Sequence, residues 1–580
     1  MMAPLLGALI FAATDFTAAY HALEEWQLPQ ARQAAERAVV QQPHDAETLA
    51  IASRVQFYRG EYSSAASLYA AALEAGASGD PGYARVLLDT YRLTRGYLEK
   101  ESPHFRVSYP PGKDDLFADE VLPVLEAAYA SIAQDLGLTN DPGDKIAVLV
   151  VPDAEGLAAV STLTPSEIEN SGTIAICKFN RLMVTSPLAT VQGYDWADTL
   201  AHEYTHLVIN LVSHARVPIW LHEGIAKFME TRWNGAPGRA LTPASVNLLA
   251  KAAKDGGFIP FERMHPSMAK LPTQEQSGLA FAEVFVAIKL LQEKRGTPAL
   301  RDTLAKIGAG DSVEGAVAAV YGKSFPAFLD DWREQLKTYR GKVLVGAQLD
   351  KIALKKDKAE HDVGELEPIK EKQVKDFARL GELLHLRGRT KAAVVEYARA
   401  YALSGVRYPS LLNKYAMALS QNGDNDRAET LLKETLIPHP TYTPARLTLA
   451  RLAMARGETA LAKAQYLAAM YENPFIPEIY AAQLKLDKND AAADRHFTQA
   501  LGKSLPGPKP EPQGPDKLTL LYAPFGRARL PDGSEVAYPA VGVATTALQE
   551  VELITREGQV QTVAVVAHGT ALEAVGAVAR

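Results

Sequence analysis

The segment Ala201-His202-Glu203-Tyr204-Thr205-His206 decides how the central part of this chain folds and which chemistry it can support. In an α-helix, residues four apart lie one turn above each other, so His202 and His206 share a face. Two imidazole nitrogens placed in this way can bind one metal ion at about 2.0–2.1 Å each. The carboxylate of Glu203, one step around the helix, can reach a water molecule on that ion. The spacing therefore predicts a zinc site with a general base beside it.

Apolar residues flank this motif, which predicts that its helix is buried. They are Leu200, Ala201, Leu207, Val208, Ile209, Leu211 and Val212. The chain has 13 histidines among 580 residues, so chance gives only roughly 0.02 occurrences of this spacing. Buried histidines need partners, and a metal ion supplies a partner to two at once. The alternative is two histidines on the polar face of a surface helix, which fits these flanks poorly.

A catalytic zinc site needs a third protein ligand and an open fourth position. Pro218 suits the first turn of a second helix, and Glu223 lies just inside that helix. A second helix that returns alongside the first could bring Glu223 to the metal. His214, His222 and Glu230 are competing third ligands, although His214 falls in the expected loop and Glu230 lies two turns further along.

The motif and its sequel, Trp220-Leu221-His222-Glu223-Gly224-Ile225-Ala226, resemble the gluzincin metallopeptidases, in particular bacterial peptidase MA-like domains. Members of that family pair H-E-x-x-H with W-x-x-E-G-x-A. The resemblance implies that His202, His206 and Glu223 bind one Zn²⁺ per chain. It also implies that Glu203 is the general base of a zinc metallopeptidase. The resemblance covers roughly residues 100–340.

The rest of that region has the elements that an α+β gluzincin domain needs. We expect a strand shortly upstream of the zinc helix to lie at the sheet edge, where an extended peptide could pair with it. A plain sheet strand is the alternative. Cys177 lies on that strand, and a small core residue is the more natural reading than a nucleophile. The expected strands are Pro103–Pro110, Lys145–Val151 and Gly172–Lys178, the last continued by Arg181–Val184, and the expected helices are Asp119–Leu136, Leu279–Lys294 and Phe325–Leu336.

One position departs from the resembling domains, which often carry a tyrosine at the start of a downstream helix. Phe281 stands there in this chain, and a phenyl ring cannot donate a hydrogen bond to an oxyanion. Other possible donors are Tyr194, Tyr204, His222 and Tyr321, each with a purely structural role as the alternative.

Asp198 lies one turn before His202 and is a candidate acceptor that orients the imidazole of this ligand. An acid in the first turn of a helix also favours the helix N-terminus without any role at the metal. The sequence alone does not choose between these two readings.

A repeat of about 34 residues occurs on both sides of this region. Gly388, Gly423 and Gly457 recur at that spacing, each followed by small residues and then by aromatic or leucine positions. This is the tetratricopeptide (TPR) pattern. It predicts two units at about 12–79 and three at about 374–476, with a capping helix pair to about 502. Such repeats usually bind a peptide or a protein, so they could recruit a substrate or partner, or serve only as a scaffold.

These observations predict a multidomain, mainly α-helical chain with an α+β gluzincin domain between helical TPR arrays. Lys, Asp and Glu are frequent around residues 350–372, which indicates a solvated helical linker, and a Pro-rich spacer follows the second array. The last residues alternate apolar and polar side chains around a turn expected at 531–534. The expected divisions are 1–99 (TPR-like helices), 100–342 (metallopeptidase domain), 343–373 (charged helical linker), 374–503 (TPR repeats), 504–516 (Pro-rich linker) and 517–580 (small β-rich module).

The overall composition excludes some classes of function. A net charge of −7 gives no reason to expect binding to nucleic acid or to an anionic membrane surface. Residues 3–13 form an apolar run like a signal-peptide core, but no Lys or Arg precedes it. The run is too short to span a membrane and also reads as the start of the first repeat. We expect the periplasm or cell envelope of a bacterium, with the cytoplasm as the alternative.

Two functions of different classes follow from the sequence. The first is a zinc-dependent peptidase whose TPR repeats recruit substrate or partner proteins. The second is a catalytically weak or inactive gluzincin-like TPR scaffold for protein–protein interaction. The complete set His202, Glu203, His206 and Glu223 favours the first, whereas Phe281 supports the second. Hydrolysis of a substrate other than a peptide is a third, weaker reading.

Overall fold

The computed structural model describes most of the chain, and the fold is multidomain and mainly α-helical. Residues 1–14 and the Pro-rich linker 504–516 lie outside the described residues, so the expectations placed on them stay predictions. The described residues are 15–139, 143–239, 241–265, 268, 271–296, 298–349 and 365–502, together with five strands after residue 525.

Helical hairpins form the N-terminal part. After a helical segment at residues 15–24 come α1 Leu28–Gln41, α2 Ala46–Tyr58, α3 Tyr62–Glu74 and α4 Pro81–Thr94. The small residues Ala31 and Ala38 recur 34 residues later as Ala65 and Ala72, and all four are fully buried. Small side chains at these positions let neighbouring helices pack closely, as the repeat pattern predicts.

A five-stranded mixed sheet follows. Its strands are β1 Leu98–Glu101, β2 Phe105–Tyr109, β3 Ile146–Val151, β4 Ala175–Lys178 and β5 Arg181–Thr185. The strand order is β1-β2-β3-β5-β4, so β4 lies at the edge, as expected for the strand upstream of the zinc helix. Strands β2, β3 and β5 are parallel, whereas β1 and β4 pair antiparallel to their neighbours.

The sequence prediction was wrong about one strand of this sheet. Residues 181–184 do not continue β4. Instead, Phe179 and Asn180 both adopt positive φ, 57° and 56°, and this two-residue turn reverses the chain into β5. Paired positive φ values match the right-handed twist of a hairpin. The sequence hid the turn because Phe is an unusual residue at such a φ.

Helices pack around this sheet and form one large core with it. Helix α5 Asp114–Ala128 continues through a π turn, Tyr129–Ala133, to Leu136. The helices that follow are α6 Ala154–Val160, α7 Pro165–Ser171, α8 Trp196–Ser213, α9 Ile219–Met229, α10 Pro243–Asp255, α11 Gln274–Arg295, α12 Pro298–Gly308, α13 Val313–Tyr321 and α14 Phe325–Lys337.

The helix that carries the His-Glu-x-x-His motif, α8, has clear start and stop signals. The side chain of Asp195 caps its N-terminus by accepting from the backbone N–H of Asp198. Its C-terminus ends at His214, which adopts a left-handed conformation with φ 54°. Pro218 then begins α9. The loop between the two helices is therefore short, and α9 packs back against α8.

The C-terminal array consists of helix pairs: α15 Lys372–Leu386, α16 Thr390–Ser404, α17 Pro409–Gln421, α18 Asn425–Leu436, α19 Thr443–Ala455, α20 Thr459–Glu472, α21 Pro477–Leu486 and α22 Ala491–Ala500. The first pair shows why small residues recur. A Cβ atom on Gly381 would lie 2.8 Å from the ring of Tyr397, so only glycine lets α15 and α16 approach this closely.

The predicted helical linker needs a correction within its described parts. Residues 343–349 and 365–371 form turns and irregular backbone, and helix begins only at Lys372. Glu365 and Glu367 form ion pairs with Lys414 and Lys375 of the array, so these charges hold the segment against the repeats rather than solvate a free helix.

A second five-stranded sheet forms the small β-rich module at the C-terminus. Its strands are β6 Gly526–Arg529, β7 Glu535–Tyr538, β8 Gln549–Ile554, β9 Val560–His568 and β10 Ala571–Ala577, in the order β7-β6-β10-β9-β8. The turn expected at 531–534 lies outside the described residues. Across the described part of the chain, no helix is both long and apolar enough to cross a bilayer.

Candidate metal centre

Helices α8 and α9 bring four predicted site residues together. His202, Glu203 and His206 lie on α8, and Glu223 lies on α9. The position of α9 is fixed by Gly224, where a Cβ atom would lie 2.8 Å from the side chain of Ile288 on α11. This close contact sets α9 between α8 and α11, with Glu223 directed at the two histidines.

The distances between these side chains fit a shared metal ion. Oε2 of Glu223 lies 3.4 Å from Nε2 of His202 and 3.3 Å from Nε2 of His206. Zinc bonds of about 2.0–2.1 Å in tetrahedral geometry place neighbouring ligand atoms roughly 3.3–3.4 Å apart. The side chains of His202, His206 and Glu223 are only 17%, 12% and 18% exposed. These donors therefore have the spacing and burial of a zinc site.

The carboxylates of Glu203 and Glu223 both lie close to the two histidines, and their distances show which one is better placed to share a metal ion with them. The donor atoms of His202, Glu203 and His206 also lie within 4.8 Å of one another. However, Oε2 of Glu223 is almost equally distant from both Nε2 atoms. This shared oxygen favours Glu223 over Glu203 as the third donor to a metal ion.

Glu203 is buried, with 8% of its surface exposed. Burial raises the pKa of its carboxyl above the usual value, while the neighbouring His206 and His202 act in the opposite direction. The carboxylate accepts a hydrogen bond from the backbone N–H of Cys177 on β4. The edge strand therefore lies directly beside the motif. The thiol of Cys177 is also held in its neutral form, because burial raises its pKa.

The other ring nitrogen of His202 faces Glu230, at the C-terminal end of α9. Nδ1 of His202 lies 3.4 Å from Oε2 of Glu230, and Lys227 pairs with the same carboxylate at 2.5 Å. Burial disfavours the cation of His202, but hydrogen bonds to Glu223 and Glu230 outweigh this and raise its pKa to about 10. Glu230, one of the competing third ligands, thus lies at Nδ1 of His202, whereas Glu223 lies at Nε2.

Asp198 does not face that nitrogen of His202. Its carboxylate instead accepts a hydrogen bond of 2.7 Å from the indole N–H of Trp233. Burial and the nearby Glu230 raise the pKa of Asp198 to about 6. The carboxylate at Nδ1 of His202 is therefore that of Glu230, whereas Asp198 accepts from the partly buried indole of Trp233.

The second histidine of the motif, His206, lies next to the neutral ring of His222. Nδ1 of His206 lies 2.6 Å from Nδ1 of His222, and Nε2 of His222 lies 3.0 Å from Oδ1 of Asn210. Burial, together with the adjacent His206, lowers the pKa of His222 to about 3. His222 therefore contacts Nδ1 of His206, whereas Glu223 lies at Nε2 of the same ring. His214, the other competing ligand, instead contacts Gln27 of the N-terminal helices at 3.1 Å.

Two of the three tyrosines considered as oxyanion donors have hydroxyls that donate to other groups. The hydroxyl of Tyr194 donates to the backbone oxygen of Thr185, and that of Tyr321 donates to Asp331 at 2.6 Å. Tyr204 is completely buried. Phe281 packs on the core of the domain. Tyr194 and Tyr321 therefore use their hydroxyls in structural hydrogen bonds, whereas the buried hydroxyl of Tyr204 has no hydrogen-bond partner among the described residues.

Two family models match parts of the chain. The model of the peptidase MA superfamily matches residues 145–338, and a tetratricopeptide repeat model matches residues 419–486. The chain therefore carries a peptidase MA superfamily domain and TPR repeats, as the sequence motifs predicted. No curated protein matches the chain in sequence.

Two solved structures from yeast show limited similarity to the chain. Yeast LTA4 hydrolase is 12% identical with a TM-score of 0.26, and the match covers 70% of this chain and 67% of that chain. Yeast Tom70 is also 12% identical, with a TM-score of 0.18, and the match covers 84% of this chain and 92% of that chain.

Proposed function

We propose that this protein is a zinc-dependent peptidase whose TPR repeats recruit substrate or partner proteins. The observation that carries the proposal is the shared oxygen of Glu223, 3.3–3.4 Å from Nε2 of both His202 and His206. Three protein ligands leave one position of a tetrahedral zinc ion for water or substrate. This arrangement is typical of catalytic zinc sites, whereas structural sites use four protein ligands.

The residues around the centre have distinct tasks in this proposal. Bound zinc would supply Lewis acidity and lower the pKa of a water molecule toward about 7. Glu203 accepts the proton of the attacking water and passes it to the leaving amine. Burial, which raises the pKa of Glu203, suits a carboxylate that must hold this proton during the reaction. Glu230 keeps the ring of His202 in the orientation that directs Nε2 at the metal.

Strand β4 is the proposed binding site for the substrate backbone. It pairs with β5 on one side only, and Cys177 on this strand contacts Glu203 through its backbone N–H. An extended peptide that adds to the free edge of β4 would run past Glu203 and the metal. The proposed substrate is therefore a peptide segment that can adopt an extended conformation.

The alternative is a gluzincin-like scaffold with weak or absent turnover. The observation that favours it is the engagement of the oxyanion candidates, because the hydroxyls of Tyr194 and Tyr321 donate to Thr185 and Asp331. Removing an oxyanion donor costs an enzyme about 10²–10³ in kcat. A domain without such a donor could bind metal and peptide and still turn over slowly.

Zinc content and peptide cleavage, measured for the wild type and for Glu203→Gln, separate these two functions. We expect both proteins to bind about one zinc ion per chain. Only the wild type should cleave casein or a peptide library, because removal of the general base costs about 10²–10⁴ in rate. Glu275→Gln, an exposed change on α11, is the matched control and should leave the rate unchanged.

Three results of these measurements would count against the proposed peptidase or against one of its residues. Zinc binding without turnover on any substrate would favour the scaffold. Equal rates for the wild type and Glu203→Gln would show that Glu203 is not the general base. Absence of zinc from the wild type would remove the basis of the proposal.

A further inference from the structure

A third histidine joins the two helices of the metal centre without facing the metal position. The rings of His206 and His222 are stacked, with centroids 4.6 Å apart and an interplanar angle of 29°. Their Nδ1 atoms are 2.6 Å apart, which is a short hydrogen-bond distance. Asn210, one turn after His206 on α8, lies 3.0 Å from Nε2 of His222. His222 on α9 therefore contacts two residues of α8, His206 through one ring nitrogen and Asn210 through the other.

The direction of these hydrogen bonds follows from the position of Glu223. Its oxygen lies 3.3 Å from Nε2 of His206, so a metal held between them needs the lone pair of that nitrogen. In neutral imidazole, the proton of His206 then lies on Nδ1. Nδ1 of His222 must accept this proton, and Nε2–H of His222 must donate to Oδ1 of Asn210. A single assignment satisfies all three contacts.

We propose that His222 is a positioning residue that fixes the ring and the tautomer of the zinc ligand His206, with Asn210 fixing His222 in turn. This inference rests on the proposed zinc-dependent function. We call the hydrogen-bonded series His206–His222–Asn210 the relay. It uses both ring nitrogens of His222, so His222 neither binds the metal nor donates to an oxyanion. The relay gives the second ligand a neutral support, whereas a carboxylate, Glu230, supports the first.

The relay also explains why Asn210 belongs to this site. Asn210 and His206 are separated by one helical turn and therefore share a face of α8. An amide oxygen at this position can accept from His222 without adding a charge next to the metal. A side chain without an acceptor would leave the N–H of His222 without its partner and would let the imidazole rotate.

Zinc affinity of four variants, measured by competition with a chromogenic chelator, tests this role. His222→Leu removes the acceptor and should weaken zinc binding about 10–100-fold, the usual cost of losing such a partner. His222→Asn places an amide oxygen near the former Nδ1 and should restore most of the affinity. Asn210→Leu leaves His222 in place and should weaken binding in the same direction but less. His214→Asn, which removes a histidine outside the relay, should bind zinc like the wild type.

A second measurement separates positioning from a general loss of structure. The metal-free melting temperatures of the variants are compared, and the ¹⁵N chemical shifts of the imidazoles in the zinc-loaded wild type report which nitrogen of His206 carries the proton. We expect a protonated Nδ1 on His206 and similar metal-free melting temperatures for His222→Leu and His222→Asn.

The proposal fails if His222→Leu binds zinc as tightly as the wild type, or if His222→Asn is as weak as His222→Leu. A proton on Nε2 of His206 would also overturn it. In each of these cases the wild type still binds zinc, and the proposed function stands. Loss of zinc from every protein, wild type included, would instead overturn the proposed function and this inference with it.

Discussion

At the scale of single residues, the direction of a side chain was predictable but its partner was not. The spacing of His202 and His206 fixed their common face on a helix, and the structure places Glu223 beside both. From the sequence, Glu230 was a candidate ligand, and His222 was a candidate ligand or oxyanion donor. The structure shows them at the ring nitrogens that face away from the metal position. Sequence spacing specifies a helix face, but which ring nitrogen a neighbour reaches depends on how α9 packs.

Glu283 shows the same limit at a residue outside the metal centre. It lies on α11 and is 1% exposed, and its carboxylate accepts a hydrogen bond from the backbone N–H of Ile259 at 3.0 Å. Burial raises its pKa to about 8. The stabilisation from the neutral carboxyl is fully present below the unfolded pKa, about 4.3. It is lost progressively as the pH rises from the unfolded value through about 8, because over this range the carboxyl ionises in the unfolded chain but stays neutral in the folded one.

We therefore expect Glu283→Gln to change how stability depends on pH. Relative to the wild type, the metal-free variant should gain stability between pH 5 and pH 8.5, by on the order of 1–4 kcal/mol. Thermal unfolding at the two pH values measures this difference. Glu293→Gln, an exposed change on the same helix, is the control and should follow the wild type. A constant difference between Glu283→Gln and the wild type would contradict the assignment.

At the scale of elements, strongly patterned segments were predictable and their connections were not. The strand Ile146–Val151 is buried along its whole length and is rich in β-branched residues. Its apolar run was therefore sufficient to predict a strand from the sequence. The hairpin of β4 and β5 was missed because its turn, Phe179 and Asn180, lacks the usual glycine. The packing of Phe179 explains why the turn is stable: its ring contacts Phe57 and Tyr58 of the N-terminal helices, with centroids 5.5 and 5.6 Å away.

The start of α8, the helix that carries the His-Glu-x-x-His motif, contacts an element of the C-terminal array. The indole of Trp196, in the first turn of α8, donates to the backbone oxygen of Met470 at 2.9 Å. The backbone N–H of Tyr194 donates to the oxygen of Glu472 at 2.9 Å. Tyr471 packs between Trp196 and Trp233, with ring centroids 5.7 and 5.0 Å away. Helix α20 therefore contacts the domain just before the His-Glu-x-x-His motif.

Gly193→Ala should break this contact. Gly193 has φ 86°, and an added Cβ would lie 2.2 Å from the backbone oxygen of Glu472, so α20 must move away. We expect a loss of stability of about 1–3 kcal/mol beyond the cost of the positive φ, seen as a lower melting temperature. Gly256→Ala is the matched control, because Gly256 has φ 73° and open space around it. Equal melting temperatures for the two variants would show that the contact with α20 contributes nothing.

At the scale of the whole molecule, both helical arrays contact the peptidase MA superfamily domain. The sequence predicted a linker at 343–373 between the metallopeptidase domain and the second array, and the structure places Phe475 of that array in the same core as α8. On the N-terminal side, Asp144 of the metal-binding domain pairs with Arg32 and Arg59 of the helical hairpins. Sequence patterns report local repeats, whereas contacts between arrays depend on residues far apart in the chain.

The measurement that tests the account most directly is the zinc content of the full-length wild type and of Glu223→Ala, after dialysis against a weak chelator. In the proposed function, Glu223 is the third ligand beside the two histidines on α8. We expect about one zinc ion per chain in the wild type and a large loss in Glu223→Ala, because two protein ligands hold zinc much more weakly than three. A wild type without zinc, or a Glu223→Ala variant that retains it fully, would contradict the three-ligand centre.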